Sequence, residues 1–358
     1  MAPPRPLRVV LIGYGFAGRV FHAPLIQAVP GLSLDFVASR DATKVHADIP
    51  GVEVLADPMS AATDPRADLV VIASPNDSHV PLARAALQAG RNVVVDKPFA
   101  LSLADARELA ALAAAKGRLL SVFQNRRWDS DFLAVRRAVE DGLIGEPMHL
   151  ESRMERYRPQ VRDRWREAAG PGGGVLWDLA PHLVDQAMQL LGRPDSVYAD
   201  VAAQRSDAQT DDWAHLVLAF GRRRAVLQIG MLAAGGGARF LVHGTRGTIV
   251  KAMPDPQEAQ LLAGVRPGDA EWGQDSDELL VLAADEPARR VPAPRGDQSR
   301  YYAAVCEALR GRGDNPVAPA QAVAVMAVLE AAVISAREGR AMAPDFDVAE
   351  PGTGAWES

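Results

Sequence analysis

Cysteine is almost absent: of 358 residues only Cys306 is one, which excludes a disulfide framework and a cysteine-ligated zinc site. Positive charge is not in excess either. Lysine and arginine number 39 against 45 aspartates and glutamates, a formal net charge of −6. The chain therefore lacks the basic footprint that phosphate-backbone binding requires, and no nucleic-acid partner is expected. No uncharged apolar run approaches the ~20 residues that cross a bilayer. The start, MAPPRPLRVVLIG, has no apolar core followed by a small-residue cleavage site. No membrane partner and a cytoplasmic location are expected. No His/Asp/Glu cluster has metal-ligand spacing, so no metal is expected. Lysine is scarce in its own right, at Lys44, Lys97, Lys116 and Lys251 only, so a lysine at a special position is unusually informative.

What is present is the composition of an ordinary globular protein, 48% hydrophobic and 23% charged, with length for about two domains. The first third alternates Val- and Leu-rich runs with helical patterns. Leu7–Ile12, Leu32–Ala38, Val52–Leu55, Leu69–Ala73, Asn92–Val95 and Leu119–Phe123 read as strands, and Gly15–Val29, Ser78–Ala89 and Leu103–Ala115 as helices. Apolar strands separated by helices imply a parallel sheet of βαβ units. Pro24 should kink or shorten the first helix.

After about Asn125 the pattern changes. Helices read at Trp128–Val139 and 175–191, and strands at Met148–Glu155, Val197–Ala203, Ala214–Phe220, Ala225–Leu232, Phe240–Gly244 and Thr248–Lys251. Short turns between these strands favour a mostly antiparallel sheet. Gln257–Pro294 is Pro-rich and reads as irregular, and Ser299–Leu309 and Ala320–Arg337 as helices. Both parities of Trp213–Phe220 are largely apolar, so both faces of that sheet need cover. Helices supply one; a second subunit is expected on the other, as a homodimer or higher oligomer.

Gly13-Tyr14-Gly15-Phe16-Ala17-Gly18 is a G-x-G-x-x-G string between an apolar strand and a helix. In a dinucleotide site Gly13 serves the tight turn, Gly15 the approach of the pyrophosphate and Gly18 the helix packing, with Phe16 and Ala17 opening the helix whose N-terminus faces the phosphates. The fold expected is α/β: an N-terminal Rossmann domain with a parallel sheet (residues 1–125), a C-terminal α+β domain with a large mostly antiparallel sheet (126–345) and a tail (346–358). Where an acidic residue would meet the ribose hydroxyls of NAD, the second strand ends in Ser39 and Arg40, with Lys44 a turn later. A hydroxyl and a guanidinium suit a 2′-phosphate, so NADP is expected as cofactor and NAD less so. Asp41 complicates this, because it can neutralise Arg40.

Ser74-Pro75-Asn76 and His79 stand at a strand end where a nucleotide passes. Lys97, in Val95-Asp96-Lys97-Pro98, stands at the carboxyl end of another parallel strand, where such sheets bind ligands. Asp178 and His182 lie four apart on one helix face, which suits a general base oriented by a carboxylate. The preceding Gly172-Gly173-Gly174 leaves room for a substrate, and Asp185 is a second possible partner. His22 can approach a cofactor or simply pack. The basic stretch from Arg153 to Arg166 is either a solvated face or the mouth of an anionic cofactor site.

GYGFAGRVFHAPLI, SPNDSHV, VVVDKPFALS, SVFQNRRWDSDF, PQVRDRWRE and GPGGGVLWDLAPHLVDQAMQLLG resemble the glucose–fructose oxidoreductase/inositol dehydrogenase/MocA family. The chain looks most like the NADP-dependent scyllo-inositol dehydrogenase branch. The resemblance, from about Leu7 to Arg337, implies a Rossmann domain followed by a sheet domain that supplies substrate pocket and often a dimer interface. Its Glu-Lys-Pro motif aligns with Asp96-Lys97-Pro98, with aspartate for glutamate. Its helix aspartate and histidine fall on Asp178 and His182, and a tryptophan–arginine pair near the nicotinamide on Trp165 and Arg166. The implied activity is NADP-dependent interconversion of a secondary alcohol and ketone on a cyclic polyol or sugar. His182, Asp178 and Lys97 would be catalytic, and Asn125, Arg127, Arg153 and Tyr157 would contact substrate hydroxyls. Two alternatives are a cofactor-assisted glycoside hydrolase on the same fold and a non-catalytic NADP-binding sensor.

Overall fold

A computed structural model describes residues 5–283 and 286–346, so of the expected tail only Phe346 lies among the described residues. The elements run β1 Leu7–Ile12, α1 Ala23–Gln27, β2 Leu32–Ala38, α2 Ala42–Asp48, β3 Glu53–Leu55, α3 Pro58–Ala62, β4 Leu69–Ile72, α4 His79–Gln88, β5 Asn92–Val95, α5 Leu103–Lys116 and β6 Leu120–Val122. Then come α6 Ser130–Glu140, β7 Pro147–Glu155, α7 Val175–Leu191, β8 Ser196–Ala202, β9 Trp213–Phe220, β10 Arg223–Gly230, β11 Phe240–Gly244, β12 Gly247–Lys251, α8 Gln257–Leu262, β13 Leu279–Ala283, β14 Arg289–Val291, α9 Ser299–Leu309 and α10 Pro319–Glu338.

The chain divides into two compact units. The first takes residues up to Trp128 and also Gln257–Gly273 and Asp297–Val323. Its sheet runs β3-β2-β1-β4-β5-β6, parallel throughout. Val9–Ile12, Leu69–Ile72 and Val93–Val95 are buried almost completely, as strands covered on both faces must be. The order reverses between β1 and β4, so their carboxyl ends open a crevice there. Pro24 sits in the first turn of α1, directly after a π-helical turn at Gly18–His22; the expected disruption takes the form of that widened turn. Helix α9 closes the core: Tyr301 and Tyr302 are fully buried, their rings 5.0 and 5.6 Å from that of Phe123, and Tyr301 donates to Ser121 Oγ at 2.8 Å.

The second unit takes Asp129–Pro256, Gln274–Gly296 and the chain from Ala324. Its sheet runs β14-β13-β12-β11-β7-β10-β9-β8, antiparallel except between β7 and β10. One parity of β9 (Ala214, Leu216, Leu218, Phe220) is buried on the side of α7; the other (Trp213, His215, Val217, Ala219) is half-exposed. The stretch expected to be irregular instead carries α8, β13 and β14. The two strands are short, β14 at the sheet edge and β13 inside it, and owe their form to pairing with β12 and each other, which local propensity does not register. Among the described residues α10 alone is a helix long and apolar enough to cross a membrane. Its Ala322–Leu329 stretch is buried, as in a core helix.

Candidate cofactor and substrate site

The three glycines of the first loop have different reasons. Gly13 has φ +97°, and a Cβ there would lie 2.7 Å from the carbonyl oxygen of Ala73. A Cβ on Gly18 would collide with the Gly13 carbonyl. Both are therefore demanded by the chain's own packing. Gly15 is not: its backbone is conventional and a Cβ would meet nothing within 4 Å. Its missing side chain leaves space open at the first turn of the helix, the space that a pyrophosphate needs against the backbone. The residues present thus fit a dinucleotide. Phe16, half exposed, packs its ring edge on Phe21, and Ala17 leads into the π turn.

At the end of β2, Asp41 is occupied. Its carboxylate accepts the backbone N–H of Lys44 at 2.9 Å and caps α2, while its own N–H donates to Ser39 Oγ at 3.1 Å. It makes no ion pair with Arg40, whose side chain is exposed, as is that of Lys44. The strand end therefore offers two cations and a hydroxyl, with its carboxylate turned into the helix.

After β4, Ser74 and Ser78 share a hydrogen bond at 2.6 Å and Asn76 is buried. His79 is buried with Nε2 3.0 Å from the Ser74 carbonyl and Nδ1 2.9 Å from that of Pro98. It braces the β4 loop against the segment after β5, each ring nitrogen facing a backbone carbonyl. That segment holds Asp96, buried, and Lys97, half-buried, with a cis peptide to Pro98. Burial pushes the Asp96 carboxyl up, but His22, 3.6 Å away, and the charges of Lys97 and His79 more than offset it and hold it below its usual range. Asn125 and Arg127 also serve the first unit internally: Asn125 Nδ2 donates to Gln298 Oε1 at 2.9 Å, and Arg127 Nη1 to Gln321 Oε1 at 2.9 Å and the Pro316 carbonyl at 3.2 Å. Their partners are 173 to 194 residues away, so sequence spacing gives no sign of them.

In the second unit, α7 starts at Gly174, which has φ +91°. The Asp211 carboxylate accepts the Leu176 N–H at 2.7 Å and fills the space where a Gly174 side chain would stand; burial pushes its carboxyl up. A Cβ on Gly173 would meet the Ala168 carbonyl and Thr210. At these two positions the glycine run makes room for the chain's own Asp211 and Thr210, not for substrate. A small cavity at this helix start is lined by Arg164, Arg166, Asp178, Arg205, Thr210 and Asp211, among others. The arginines around it are paired: Arg166 Nε with Asp178 Oδ1 at 3.3 Å, Arg164 with Glu167 at 2.6 Å, and buried Arg205 with Glu167 at 3.0 Å and Asp212 at 2.7 Å. Arg166 also stacks on the Trp165 ring at 4.5 Å. This part of the basic stretch is thus neither a plain solvated face nor a set of free cations. His182 and Asp185 are buried one turn apart on α7. Arg153 pairs with Glu151 at 2.6 Å along β7, and Tyr157 is exposed.

Arg239 gives no signal in the sequence. Fully buried, it donates to Asp131 at 3.0 Å, Ser152 at 2.6 Å and Gln186 at 2.6 Å, so it ties α6 and β7 to α7 one turn beyond His182. Its partners lie 53 to 108 residues distant, and a lone arginine after a glycine run carries no signal.

Two family models cover the chain: an NAD-binding Rossmann-fold domain of an oxidoreductase family over residues 7–124 and the C-terminal alpha/beta domain of the same family over 136–343. Uncharacterized oxidoreductase YdgJ of Escherichia coli is 50% identical over 337 residues, 92% of this chain and 96% of that one. The scyllo-inositol 2-dehydrogenase (NADP(+)) IolW of Bacillus subtilis is 34% identical over 339 residues, 93% and 95% of the two chains. A crystal structure of a provisionally named oxidoreductase from Klebsiella pneumoniae superposes with a TM-score of 0.89 at 54% identity, covering 95% and 96%. The chain is an NAD(P)-dependent oxidoreductase and belongs to the Gfo/Idh/MocA family.

Proposed function

We propose that the enzyme interconverts a secondary alcohol and a ketone on a cyclic polyol or sugar, scyllo-inositol and its ketone being the best candidates, with NADP preferred over NAD. The observation that carries the cofactor preference is the end of β2, where Asp41 caps α2 and Arg40 and Lys44 stand exposed beside Ser39. The polyol rests on the name of the relative IolW and on the residues Lys97, Asp178 and His182.

Bound NADP supplies the hydride acceptor. The loop Gly13–Gly18 would hold the pyrophosphate, and Ser39, Arg40 and Lys44 the 2′-phosphate. His182 would take the hydroxyl proton of the substrate, and Asp178 would stabilise the imidazolium that results. Lys97 offers a positive charge to the developing alkoxide. A homodimer through the half-exposed face of the eight-stranded sheet belongs to the same reading.

The test is a screen of inositols, their ketones and aldoses at the absorbance of the reduced cofactor, with each cofactor in turn. Turnover on cyclic polyols with NADP supports the proposal. Sugar hydrolysis without net cofactor change would replace it with a hydrolase, and cofactor binding without turnover on any substrate with a sensor.

A further inference from the structure

Behind Lys97 the first unit holds a buried polar trio that the proposed reaction does not use. His22 is fully buried, with Nδ1 2.5 Å from Tyr302 Oη and Nε2 3.6 Å from Asp96 Oδ1. The same Oδ1 accepts the backbone N–H of Lys97 at 2.9 Å, and the Asp96 N–H donates to the Ile72 carbonyl at 2.8 Å. The imidazole lies on the Phe123 ring, centroids 4.2 Å apart, with Tyr302 beside it.

Packing alone asks for none of these polar groups, since apolar side chains would fill the space without the cost of burying a carboxylate. Locally, the carboxylate fixes the turn from which Lys97 leaves the end of β5. The hydrogen-bond inventory orients the trio. If the Tyr302 hydroxyl donates to Nδ1, the phenol is satisfied and the imidazole proton sits on Nε2, facing the Asp96 carboxylate across 3.6 Å, beyond hydrogen-bond distance; the reverse arrangement strands the phenol proton. Burial pushes the Tyr302 phenol well up, so it remains a donor. The titratable groups acting on Asp96 are His22, His79, Lys97, Tyr301 and Tyr302.

We propose that His22, oriented by Tyr302, is a positioning residue for Lys97 and acts through the Asp96 carboxylate. Its bearing on catalysis rests on the role given to Lys97 above.

Four lysines in the chain make this testable without substrate. With lysine labelled with carbon-13 at Cε, the Lys97 resonance is the one that Lys97→Arg removes, and its midpoint is read by pH titration. His22→Asn keeps an amide near the Nδ1 position, in reach of Tyr302 only; His22→Gln keeps one near Nε2, in reach of Asp96. His22→Asn should move the Lys97 midpoint by more than about 0.5 pH unit, a fraction of what a nearby opposite charge supplies, and His22→Gln should restore it. Tyr302→Phe, which removes only the hydroxyl, should move it in the same direction by less. With scyllo-inositol and NADP, kcat should fall roughly 10- to 100-fold in His22→Asn, as for a misplaced catalytic group, with the KM for NADP little changed. An unmoved Lys97 resonance in both His22→Asn and Tyr302→Phe overturns the proposal, and Tyr302→Phe alone decides if His22→Asn does not fold. A resonance that moves as expected while Lys97→Ala keeps full activity upholds the positioning and overturns the catalytic role of Lys97.

Discussion

Arg166 Nε lies 3.3 Å from Asp178 Oδ1, so the carboxylate that would orient His182 is also held by a guanidinium. The pair ties the loop before α7 to the helix that carries the histidine.

Lys97→Ala and His182→Ala should each lower kcat by about 10²–10⁴-fold, the usual range for lost acid–base assistance. NADP affinity, measured by fluorescence titration, should stay within a few-fold of wild type. A variant that keeps more than about a third of wild-type turnover does not have the assigned role.

The loop glycines separate folding from binding. A Cβ on Gly15 meets nothing within 4 Å, so Gly15→Ala should keep a melting temperature close to wild type, while NADP affinity falls about tenfold or more, 1.4 kcal/mol per decade. Gly13→Ala faces both a positive φ and the Ala73 carbonyl, and should lose about 1–3 kcal/mol of stability. Thermal melts and cofactor titrations on both variants check this. Equal melting temperatures would contradict it.

The proposed cofactor preference can be tested at the end of β2. A hydrogen bond to a charged group is worth about 1.5–3 kcal/mol. Arg40→Ala should therefore weaken NADP by roughly 10–150-fold and NAD much less. Ser39→Asp should go further, because it adds repulsion of the 2′-phosphate and an acceptor for the ribose. The ratio of kcat/KM for the two cofactors decides; wild-type preference for NAD would refute the reading.

Much of this was legible in advance. The six parallel strands fall within a residue or so of their Val/Leu runs, because a strand buried on both faces must be apolar throughout. Helix α7 spans 175–191 as its pattern indicated. What stayed hidden depends on distant partners: Asp41 looked like a neutraliser of Arg40, and only the start of α2 shows it as a cap. The glycines before α7 looked like space for substrate, and only Asp211, in a separate loop, shows what occupies that space.

Lys251 is fully buried in the second unit, with Nζ 2.6 Å from Asp277 and 3.1 Å from Asp275. Burial pushes the Asp277 carboxyl up, but the bonds from Lys251 and the Met253 N–H more than offset it, so its value in the fold is below the usual one. That stabilisation is present above the unfolded value, near 3.9, and is lost as pH falls through the lower folded value. Lys251→Met leaves the two carboxylates without their cation and should cost about 3–5 kcal/mol at pH 7. The deficit should shrink near pH 4 as they take up protons. Urea melts at the two pH values test both statements, and a deficit that grows in acid would reverse the assignment.

The half-exposed parity of β9 continues into Val226 of β10, and beyond it Glu151 of β7, paired with Arg153, separates Val226 from Leu241 of β11. A half-exposed, partly apolar face of this kind on a monomer invites association. Light scattering at micromolar concentration should give at least the mass of a dimer; a monomer mass would show that the face tolerates water.

The first unit draws Tyr301 and Tyr302 into its core and is complete only at Val323. On the ribosome, the nucleotide-binding half therefore cannot finish folding until about nine-tenths of the chain has been made, although its sheet ends at Val122. A fragment cut near residue 125 would carry every phosphate-loop glycine and the Lys97 turn, yet expose Phe123 and leave His22 without its phenol. Such a fragment would be a substrate for chaperones and proteases rather than a free-standing binding module.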